Sequence, residues 1–526
     1  MCELKVLLFN PPPPRGFSEE LQAPHVGLAY LAAVLEERGF KVWVVDAHPF
    51  GQGGLSLLPL MVKRIKPDVV GITSTTSSIS LAYEAADVVK RVSPGSTVVM
   101  GGPHVTFLDR EALKECEALD VVVRGEGEET LIEVVERLED GRSLKGVLGV
   151  TYRGPYGRAV REPDRPLIED LDSLPFPSYR HLPLDLYRSF GLKPPSLPVV
   201  TSRGCPFKCS FCVAWRLYKG KWRKRSPSNV VDELEHHVET YGVTDFSFVD
   251  DLFTLSRRRV KEICREIRRR GLKVTWGCSA RVDTIDRDTL LEMKAAGCHT
   301  VYFGVESGSS KTLSDMGKGF TVERTVEAFK LCRELGVGTV ASVILFWPTE
   351  TRRDVEETLR FVKSLDSDVA QFCIATPFPG TELYDRLKRK GLLCEEDWSK
   401  YDIVTPVFET AQFDRKYMVS KWKRAYLSFY LRPSYVAKQL VKRSLPLLKA
   451  MLHMFKRGLT YRLRLPSIDQ ALRANLLEVF LRRVLLKVNH GPGGVRTHDL
   501  PVISLARRRC SAAASDAPTR LSYGPR

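Results

Sequence analysis

The 526-residue sequence predicts an α/β protein with two successive sets of parallel strand–helix repeats and a helical C-terminal region. Three observations support this. Five short apolar strands alternate with helices before residue 146, six strand–helix units follow residue 196, and three cysteines crowd into eight residues early in the second set. With 43% hydrophobic and 27% charged residues, the chain can bury more than one core, which excludes global disorder and a fibrous fold.

Residues 1–145 are predicted to form a doubly wound, Rossmann-like domain. Its strands are the apolar stretches LKVLLFN, KVWVVDA, DVVGITS, TVVMGG and ALDVVVRG, which amphipathic helices separate. Ligands of such sheets bind beyond the carboxyl ends of the strands. No GxGxxG motif follows the first strand, so a dinucleotide is not the favoured ligand.

Several motifs at this edge of the sheet resemble the cobalamin-binding domain that precedes many radical enzymes. They are PPP after the first strand, GLAYLAAVLEERG, TSTTSS, MGGPH and RGEGEET. The resemblance implies that a Ser/Thr loop holds the nucleotide tail of the cofactor and that a Gly-Gly pair leaves room for it. The implied cofactor-binding residues are Ser74, Thr75, Gly101, Gly102, Gly125 and Glu126.

Residues Asp46 to Gly51 spell DxHxxG, the signature by which some cobalamin proteins supply a histidine to cobalt. That signature belongs after the first strand, whereas this string follows the second. We therefore expect His48 to be an ordinary loop histidine, and cobalamin to bind base-off without a protein histidine.

The strongest motif is Cys205, Cys209 and Cys212 at CxxxCxxC spacing. Three thiolates can hold three irons of a 4Fe–4S cluster and leave the fourth iron open. A zinc site would want a fourth ligand and usually paired CxxC knuckles, and no second knuckle occurs in the sequence. The motif thus predicts an iron–sulfur cluster whose metal ligands and catalytic residues are these three cysteines.

This motif, with Phe211 beside its last cysteine and an apolar strand before it, resembles the radical S-adenosylmethionine (SAM) superfamily over about residues 196–390. The resemblance implies that the open iron chelates SAM. One electron from the cluster then yields a 5′-deoxyadenosyl radical, and an external donor such as ferredoxin or flavodoxin supplies that electron. Phe211 is expected to pack near the adenine of SAM.

Six parallel strand–helix units predict a partial (β/α)6 barrel over residues 196–395, preceded by a linker at 146–195 that is rich in Pro and charged residues. Catalytic groups are therefore expected at the carboxyl ends of the barrel strands. The resemblance implies that Asp250 or Asp251 binds the SAM amino group. It also implies contacts from Ser279, Arg281 and Glu306 to the SAM carboxylate and ribose, although helix caps or rim ion pairs remain alternative roles.

One segment departs from the superfamily pattern. Relatives usually carry a Gly-rich GLPGET after the fifth barrel strand, whereas this chain has Phe346, Trp347 and the sequence PTET. The bulk of these side chains is expected to narrow the adenine pocket or reshape the substrate cavity.

The net charge of +17 arises entirely after residue 400. Residues 401–526 carry 24 Lys and Arg against 7 Asp and Glu. Residues 396–490 are predicted as a basic helical region that either packs on the body with a solvated basic face or docks on a membrane surface. No apolar run reaches the ~18 residues of a spanning helix and no signal peptide is recognisable, so a cytoplasmic location is expected, with peripheral membrane association as the second interpretation.

Residues 491–526 lack apolar periodicity and are rich in Gly, Pro, Ser and Ala, which predicts a disordered tail. The stretches GPGGVRTHDLPVISLA and LSYGPR resemble the peptide produced when a reading frame runs through a transfer-RNA gene. That resemblance implies a read-through product.

The order of the three regions resembles the cobalamin-binding radical SAM group that contains C-methyltransferases and the anaerobic magnesium-protoporphyrin ester cyclase. We predict C-methylation of an unactivated carbon in a small or lipid-like molecule. Cobalamin-assisted cyclisation or rearrangement stays open, as does RNA modification of the methylthiotransferase type. The last is weakened because the N-terminal domain has only Cys2 and Cys116 for an additional cluster, so nucleic acid is not the expected partner.

Overall fold

The structure is a computed structural model that describes residues 4–14, 23–187 and 196–441. All of these residues lie in one compact unit, Met1–Pro466. The predictions for the basic segments beyond residue 441 and for the tail at 491–526 fall outside the described residues.

The first half of the chain folds around a single sheet. Its elements in chain order are β1 (Lys5–Asn10), α1 (Val26–Glu37), β2 (Lys41–Asp46), α2 (Leu57–Ile65), β3 (Val69–Thr73), α3 (Ile79–Val92), β4 (Thr97–Gly101), α4 (Pro103–Phe107), α5 (Asp109–Glu115), β5 (Val121–Val123), α6 (Glu128–Glu139), β6 (Val150–Arg153) and β7 (Ala159–Arg161).

The sheet has the strand order β2-β1-β3-β4-β5-β6-β7, and its first five strands are parallel. The strands are apolar throughout because helices cover both faces, with α1 beside α6 and α2 beside α3. Val6, Leu7 and Leu8 of β1, for example, are all fully buried. The predicted doubly wound domain is confirmed.

The strands β6 and β7 lie inside the range predicted as an extended linker. They extend the sheet in antiparallel fashion. The buried Arg124 holds them in place, since it donates hydrogen bonds to the carbonyls of Val150 and Glu162, both at 2.6 Å, and pairs with Asp164 at 3.0 Å. The prediction missed these strands because they are short and partly polar.

The second half of the chain folds around a separate sheet. Its elements are β8 (Leu197–Val199), β9 (Ser202–Arg203), α7 (Ala214–Leu217), β10 (Arg223–Lys224), α8 (Pro227–Tyr241), β11 (Asp245–Phe248), α9 (Arg257–Arg269), β12 (Thr275–Ala280), α10 (Arg287–Ala295), β13 (Cys298–Glu306), α11 (Ser310–Asp315), α12 (Val322–Leu335), β14 (Gly338–Leu345), α13 (Arg352–Leu365), β15 (Val369–Ile374), α14 (Glu382–Arg389), α15 (Arg415–Tyr430) and α16 (Pro433–Val441).

Six of these strands form one parallel sheet in the order β15-β14-β13-β12-β11-β8. The order follows the chain, and β8 does not pair with β15, so the sheet is an open, partial barrel as predicted. The short hairpin of β9 and β10 is separate and follows β8.

Helix α15 covers the exposed edge of β15. Tyrosine hydroxyls from this helix bond the backbone of the edge strand: Tyr430 donates to the Ala370 carbonyl at 2.8 Å, and Tyr426 accepts from the Phe372 N–H at 3.1 Å. The indole of Trp422 also donates to the Phe372 carbonyl at 2.7 Å. This part of the basic C-terminal region therefore packs on the body and satisfies an open strand edge. No described helix combines the length and the apolar character that a membrane span requires.

The loops at the carboxyl edge of the first sheet contact the barrel directly. Gly380 must be glycine, because it has φ +84° and an added Cβ would lie 2.5 Å from the ring of Phe107 in α4. The His104 ring meets Trp398 edge-on at 5.1 Å between centroids. The expected ligand edge of the first domain thus faces the second domain.

Candidate active site

The three motif cysteines occupy the loop between β9 and α7. All three are partly exposed, and the loop is anchored at its centre, where Ser210 N–H donates to the Met316 carbonyl at 3.0 Å. Burial raises the pKa of the Cys205 thiol and raises that of Cys212 to about 11. Both thiols are therefore protonated at neutral pH until a metal displaces the protons.

The donor set of this loop fits an iron–sulfur cube. Such a cube takes each thiolate on a different iron, so three cysteines leave one iron for an external ligand. Among the residues that the structure describes, no three His, Cys, Asp or Glu side chains converge closely enough to hold one metal ion. Because the thiolates of a cube are spread over several irons, they need not converge in that way.

Gly204 lies directly before the first cysteine and joins several parts of the site. Its φ is +90°, and an added Cβ would lie 2.1 Å from the Lys221 carbonyl and 3.0 Å from the Cβ of Tyr218. Its N–H donates to Asp251 at 2.9 Å. Only glycine permits this close approach, which holds the cysteine loop against both Tyr218 and Asp251.

The two aspartates of the VDD motif have different environments. Both oxygens of Asp250 accept hydrogen bonds, from the Thr201 N–H and hydroxyl and from the Ser202 hydroxyl, each at 2.6 Å. Asp250 therefore holds Thr201 and Ser202 in place directly before the cysteine loop, and both of its carboxylate oxygens already accept hydrogen bonds. Asp251 is the aspartate that reaches the neighbouring cavity. Of the two predicted ligands of the SAM amine, the geometry favours Asp251 over Asp250.

Arg281 stacks on the cysteine loop. Its guanidinium carbon lies 3.6 Å from the ring centre of Phe207, and its Nε and Nη2 bond both oxygens of Asp283 at 3.0 and 2.9 Å. Its Nη2 also donates to the Lys318 carbonyl at 2.6 Å. The buried Nη1 has no hydrogen-bond partner among the described residues. Since an unpaired buried donor is costly, this atom fits the carboxylate of a bound SAM.

Glu306 and Lys318 form a buried ion pair at the end of β13, with Nζ 2.9 Å from Oε1. Lys318 lies 5.6 Å from the ring centre of Phe211 and 5.4 Å from that of Phe320. Glu306 has φ +62°, a strained conformation for a non-glycine residue. Sequence reasoning missed Lys318; the glycines at 317 and 319, both with positive φ, mark the tight loop that buries it.

The other predicted SAM contacts lie around the same loop. Ser279 is the second-last residue of β12, and Arg281 directly follows the strand. The ring of Phe211 meets the edge of Trp347 at 6.2 Å between centroids. Trp347 is fully buried, and its indole donates to Asp315 at 2.6 Å. The bulky segment after β14 therefore packs on the aromatic side chain of the cysteine loop.

Glu350 closes this segment. Its oxygens accept from the Trp347 N–H at 2.9 Å and from the Ser307 hydroxyl at 3.3 Å. Burial raises the pKa of Glu350 to about 7. The carboxyl group is therefore partly protonated at neutral pH, which is unusual for a glutamate that makes only neutral hydrogen bonds.

A cavity of about 360 Å³ joins the first sheet to the barrel. Inside the first domain its lining is mostly apolar and includes Gly71, Val99 and Val123, and on the barrel side it is lined by Tyr218 and Asp251 near the cysteine loop. The backbone at Gly71 lies close to Leu8, since an added Cβ would lie 2.8 Å from the end of the Leu8 side chain. A largely apolar pocket with polar groups where the two domains meet is suited to the nucleotide tail of cobalamin.

The predicted cobalamin residues divide into two groups. Thr75, Gly101, Gly102, Gly125 and Glu126 all line this cavity. Ser74 does not; its hydroxyl and N–H both donate to the Gly101 carbonyl, at 3.0 and 2.9 Å.

Gly102 is glycine because its φ is +109° and an added Cβ would lie 2.2 Å from the Ser74 carbonyl oxygen. The close approach of the two strand ends therefore requires glycine at position 102. Gly101 is less crowded, because the atom nearest to an added Cβ is the Val123 carbonyl oxygen at 3.7 Å.

Glu126 is an interdomain residue as well as a cavity residue. Arg203 and Arg223 pair with its oxygens at 2.9 and 2.8 Å, and Arg203 also pairs with Glu128 at 2.6 Å. Burial alone would raise the pKa of Glu126, but the hydrogen bonds and charges of Arg223 and Arg203 outweigh it and lower the pKa. The RGEGEET motif therefore joins the first domain to the β9–β10 hairpin.

His48 follows β2 and does not line the cavity, whereas His25 does. Burial lowers the pKa of both imidazoles. The Nδ1 of His25 accepts from the Leu28 N–H at 3.1 Å, so the proton of the neutral ring resides on Nε2. His25 therefore offers this cavity a hydrogen-bond donor rather than a lone pair for a metal.

Comparison with known proteins gives two family matches and several relatives. The Radical SAM superfamily model matches residues 199–362, and the B12 binding domain model matches residues 18–135. An uncharacterized methyltransferase of Pyrococcus horikoshii is 40% identical over 84% of this chain and 95% of its own. The anaerobic magnesium-protoporphyrin IX monomethyl ester cyclase of Rubrivivax gelatinosus is 32% identical over 78% of this chain and 75% of its own.

Solved structures share the fold. The cobalamin-dependent radical enzyme OxsB, with aqua-cobalamin and SAM bound, superposes with a TM-score of 0.67 at 17% identity, over 98% of this chain and 84% of that chain. The radical SAM methyltransferase TsrM of Kitasatospora setae, with cobalamin and a 4Fe–4S cluster bound, gives 0.64 at 21% identity, over 81% and 85%.

Proposed function

Because the chain belongs to the family of cobalamin-binding radical SAM enzymes, we propose that it transfers a methyl group to an unactivated carbon of a small organic molecule. The Pyrococcus horikoshii relative, aligned over 84% of this chain and 95% of its own, is named as an uncharacterized methyltransferase. Other relatives include a hopanoid C-3 methylase of Methylococcus capsulatus at 26% identity. A lipid-like substrate is part of this proposal.

The overall reaction balances with two SAM molecules and two electrons. One SAM is reductively cleaved, and its deoxyadenosyl group leaves as 5′-deoxyadenosine after taking a hydrogen atom from the substrate carbon; methionine is the other fragment. The second SAM gives up its methyl group and leaves as S-adenosylhomocysteine. When bound, the iron–sulfur cluster supplies the electron that cleaves SAM, and cobalamin supplies a carrier for the methyl group.

Residues of the chain hold SAM in place for this cleavage. Cys205, Cys209 and Cys212 hold the cluster and leave one iron for the SAM amine and carboxylate. Arg281 binds the carboxylate through its free Nη1, and Asp251 faces the ammonium group. Phe211 forms an apolar wall for the adenine, and Lys318 beside it holds the Glu306 carboxylate in place through their ion pair.

One observation supports the proposal above all: Asp251 lines the interdomain cavity, and the same aspartate accepts the N–H of Gly204 next to Cys205. A cofactor in the cavity and a cluster on the cysteine loop would therefore share one reaction space. Methyl transfer to a carbon radical requires this arrangement, because the radical must meet the methyl donor before it meets water.

Anaerobic reconstitution with iron, sulfide and hydroxocobalamin tests the proposal. Reduced with dithionite and given SAM, the protein is expected to form 5′-deoxyadenosine and S-adenosylhomocysteine, and Cys209→Ala is expected to lose the first product. A protein that takes up zinc in place of an iron–sulfur cluster, or that never cleaves SAM, would refute it.

Cobalamin-assisted cyclisation is the second candidate, since the Rubrivivax cyclase is 32% identical. The assay separates the two reactions. Cyclisation forms 5′-deoxyadenosine without S-adenosylhomocysteine, whereas methylation forms both. None of the relatives reported above is named for RNA modification.

Peripheral membrane association stays a prediction, because the basic segments beyond residue 441 on which it chiefly rests lie outside the described residues. Sedimentation of the full chain with vesicles that contain an anionic phospholipid tests it. A protein that remains in the supernatant at low salt would contradict the prediction.

A further inference from the structure

The segment after Gly204 is the most one-sided charge run in the body of the protein. Residues 204–231 contain seven Lys and Arg and no Asp or Glu, although residues 1–400 are neutral as a whole. The catalytic proposal uses none of these cations. Their position around the cysteine loop therefore calls for a separate explanation.

The structure separates the cations of this segment into paired and unpaired groups. Arg223 and Arg225 are buried in ion pairs, and Arg216 and Lys221 pair with Asp385 and Glu169 at 2.8 and 2.6 Å. Three exposed lysines remain without an ion-pair partner among the described residues: Lys208, Lys219 and Lys224. We call these three the loop lysines.

The loop lysines surround the cluster-binding loop. Lys208 lies inside the motif, between Cys205 and Cys209. Lys219 and Lys224 flank the backbone of Lys221, whose carbonyl closely approaches Gly204 beside the first cysteine. Any partner that binds the loop lysines is therefore brought next to the cluster site.

Two tryptophans support the loop lysines without neutralising them. The Lys208 Nζ lies 4.6 Å from the ring centre of Trp215, and the Lys224 Nζ lies 5.8 Å from that of Trp222. An aromatic face orients an ammonium group and leaves its charge in place. Because lysine covers these ring faces, they are not free to stack on nucleic-acid bases, which disfavours RNA as the occupant.

We propose that the loop lysines form the docking surface for a small acidic one-electron carrier protein of the flavodoxin class. The inference rests on the proposed function, in which each methylated product consumes two electrons from outside the chain. No other group of metal ligands that could relay electrons occurs in the described residues. A positive surface at the cluster steers an acidic carrier to the point where its electron is needed.

Charge reversal tests the docking surface on the reconstituted full chain. The test variant carries Lys208→Glu, Lys219→Glu and Lys224→Glu. The control carries Lys145→Glu, Lys273→Glu and Lys330→Glu, which change the same charge at exposed lysines without described ion pairs away from the cysteine loop. Since Lys208 lies between cluster ligands, the double variant Lys219→Glu/Lys224→Glu leaves the motif itself unchanged.

The readout is the rate of cluster reduction by a purified acidic flavodoxin in its hydroquinone form, followed by the loss of cluster absorbance. At low ionic strength we expect the triple variant to be reduced about tenfold more slowly than wild type and the double variant to be intermediate. The control variant should match wild type, and added salt should slow wild type more than the triple variant.

Dithionite separates this inference from the proposed function. The double variant and the control variant should be reduced by dithionite at the wild-type rate and should then cleave SAM like wild type. Equal rates of reduction by flavodoxin in the triple variant and wild type would overturn the docking surface alone. If the triple variant loses salt-dependent RNA binding while its reduction by flavodoxin is unchanged, the loop lysines bind RNA and the docking surface is likewise overturned. A wild-type protein that dithionite reduces but that never cleaves SAM would refute the proposed function while leaving the docking rates to be judged.

Discussion

Arg281 is the residue whose environment points most directly to a ligand. Its Nε and Nη2 are committed to Asp283 and Lys318, and only the buried Nη1 lacks a described partner. We expect Arg281→Gln to weaken SAM binding to the reconstituted protein about tenfold or more, because a charged hydrogen bond to the carboxylate is lost. Isothermal titration with SAM measures this effect.

Asp283→Asn is the matched control for Arg281, since it weakens the internal ion pair and keeps the guanidinium. It should change the affinity for SAM much less, and both variants should retain the iron content of wild type. An Arg281→Gln protein with wild-type affinity would remove this residue from the SAM site.

Glu350 gives the site a pH-dependent stability. Its pKa of about 7 in the folded chain exceeds the ordinary value of 4.5, so the folded state holds the proton to higher pH than the unfolded state. The contribution is fully present below about pH 4.5 and is lost as the pH rises through 7. We expect Glu350→Gln to remove up to about 3 kcal/mol of this pH dependence.

Urea unfolding of the cluster-free protein at pH 5 and pH 8 measures the Glu350 effect. Asp354→Asn in the same segment is a useful comparison, because hydrogen bonds from Thr351 and Ser309 outweigh the effect of burial and lower the pKa of Asp354. Its substitution should leave the change between these two pH values intact. Identical pH profiles for wild type and Glu350→Gln would contradict the assignment.

At the residue scale, the sequence predicted which residues carry the chemistry better than it predicted which residues contact one another. The three cysteines stand out because their spacing is unusual, and the structure places all three on one loop. The VDD pair could not be resolved from sequence, since neighbouring aspartates differ only in what they contact. Nothing in the sequence marks Lys318 as a site residue. A buried lysine is recognised by its ion-pair partner, and its partner Glu306 lies 12 residues away.

The strand β4 offers a test of the cobalamin cavity at the scale of one element. Gly101 at its carboxyl end lines the cavity, and an added Cβ there meets its nearest atom at 3.7 Å, so we expect Gly101→Val to fold and to occupy part of the cavity. We expect the affinity for hydroxocobalamin to fall at least about tenfold, because a branched side chain occupies the ligand volume. Spectrophotometric titration of the protein with hydroxocobalamin measures it.

Gly95→Val, in the turn that precedes the same strand, provides the control. An added Cβ at Gly95 meets nothing within 4 Å, and Gly95 does not line the cavity. This variant should bind hydroxocobalamin like wild type. If Gly101→Val also binds normally, cobalamin does not enter between the strand ends of the first sheet.

The β9–β10 hairpin tests how the two domains are held together. Glu126→Gln removes the charge that compensates the buried Arg203 and Arg223, and we expect it to lower the free energy of unfolding by about 3 kcal/mol. Glu169→Gln breaks only an exposed pair with Lys221 and should have no measurable effect. Urea denaturation measures the free energy of unfolding of both variants. Equal free energies for Glu126→Gln and Glu169→Gln would show that the interdomain ion cluster does not contribute significantly to holding the domains together.

At the element scale, apolar strands were predicted well and polar ones were not. The five parallel strands of the first sheet are largely buried on both faces, and the six of the barrel bury about every second residue or more, so their apolar composition reveals them. The strands β6 and β7 depend on contacts to Arg124, which lies more than 20 residues before them. A tertiary contact of that kind leaves no periodic signal in the chain.

At the scale of the whole molecule, the order of domains was predictable and their contact surface was not. The loops that contact the barrel, including Phe107 and His104, follow a strand that was predicted for the binding of a cofactor. Their packing against Gly380 and Trp398 depends on residues about 270 to 290 positions away. The interdomain cavity could therefore be anticipated as a requirement of the chemistry, but only the structure shows that Asp251 lines it.

The most direct measurement of the central claim is electron paramagnetic resonance of protein that holds both a reduced cluster and cobalt(II) cobalamin. Because Asp251 lines the cobalamin cavity and accepts the N–H of Gly204 beside Cys205, the two spins should lie close enough to broaden and split each other's signals. Cys209→Ala, which lacks the cluster, should show the unperturbed cobalt spectrum. A wild-type spectrum equal to the plain sum of the two centres measured separately would contradict the shared reaction space.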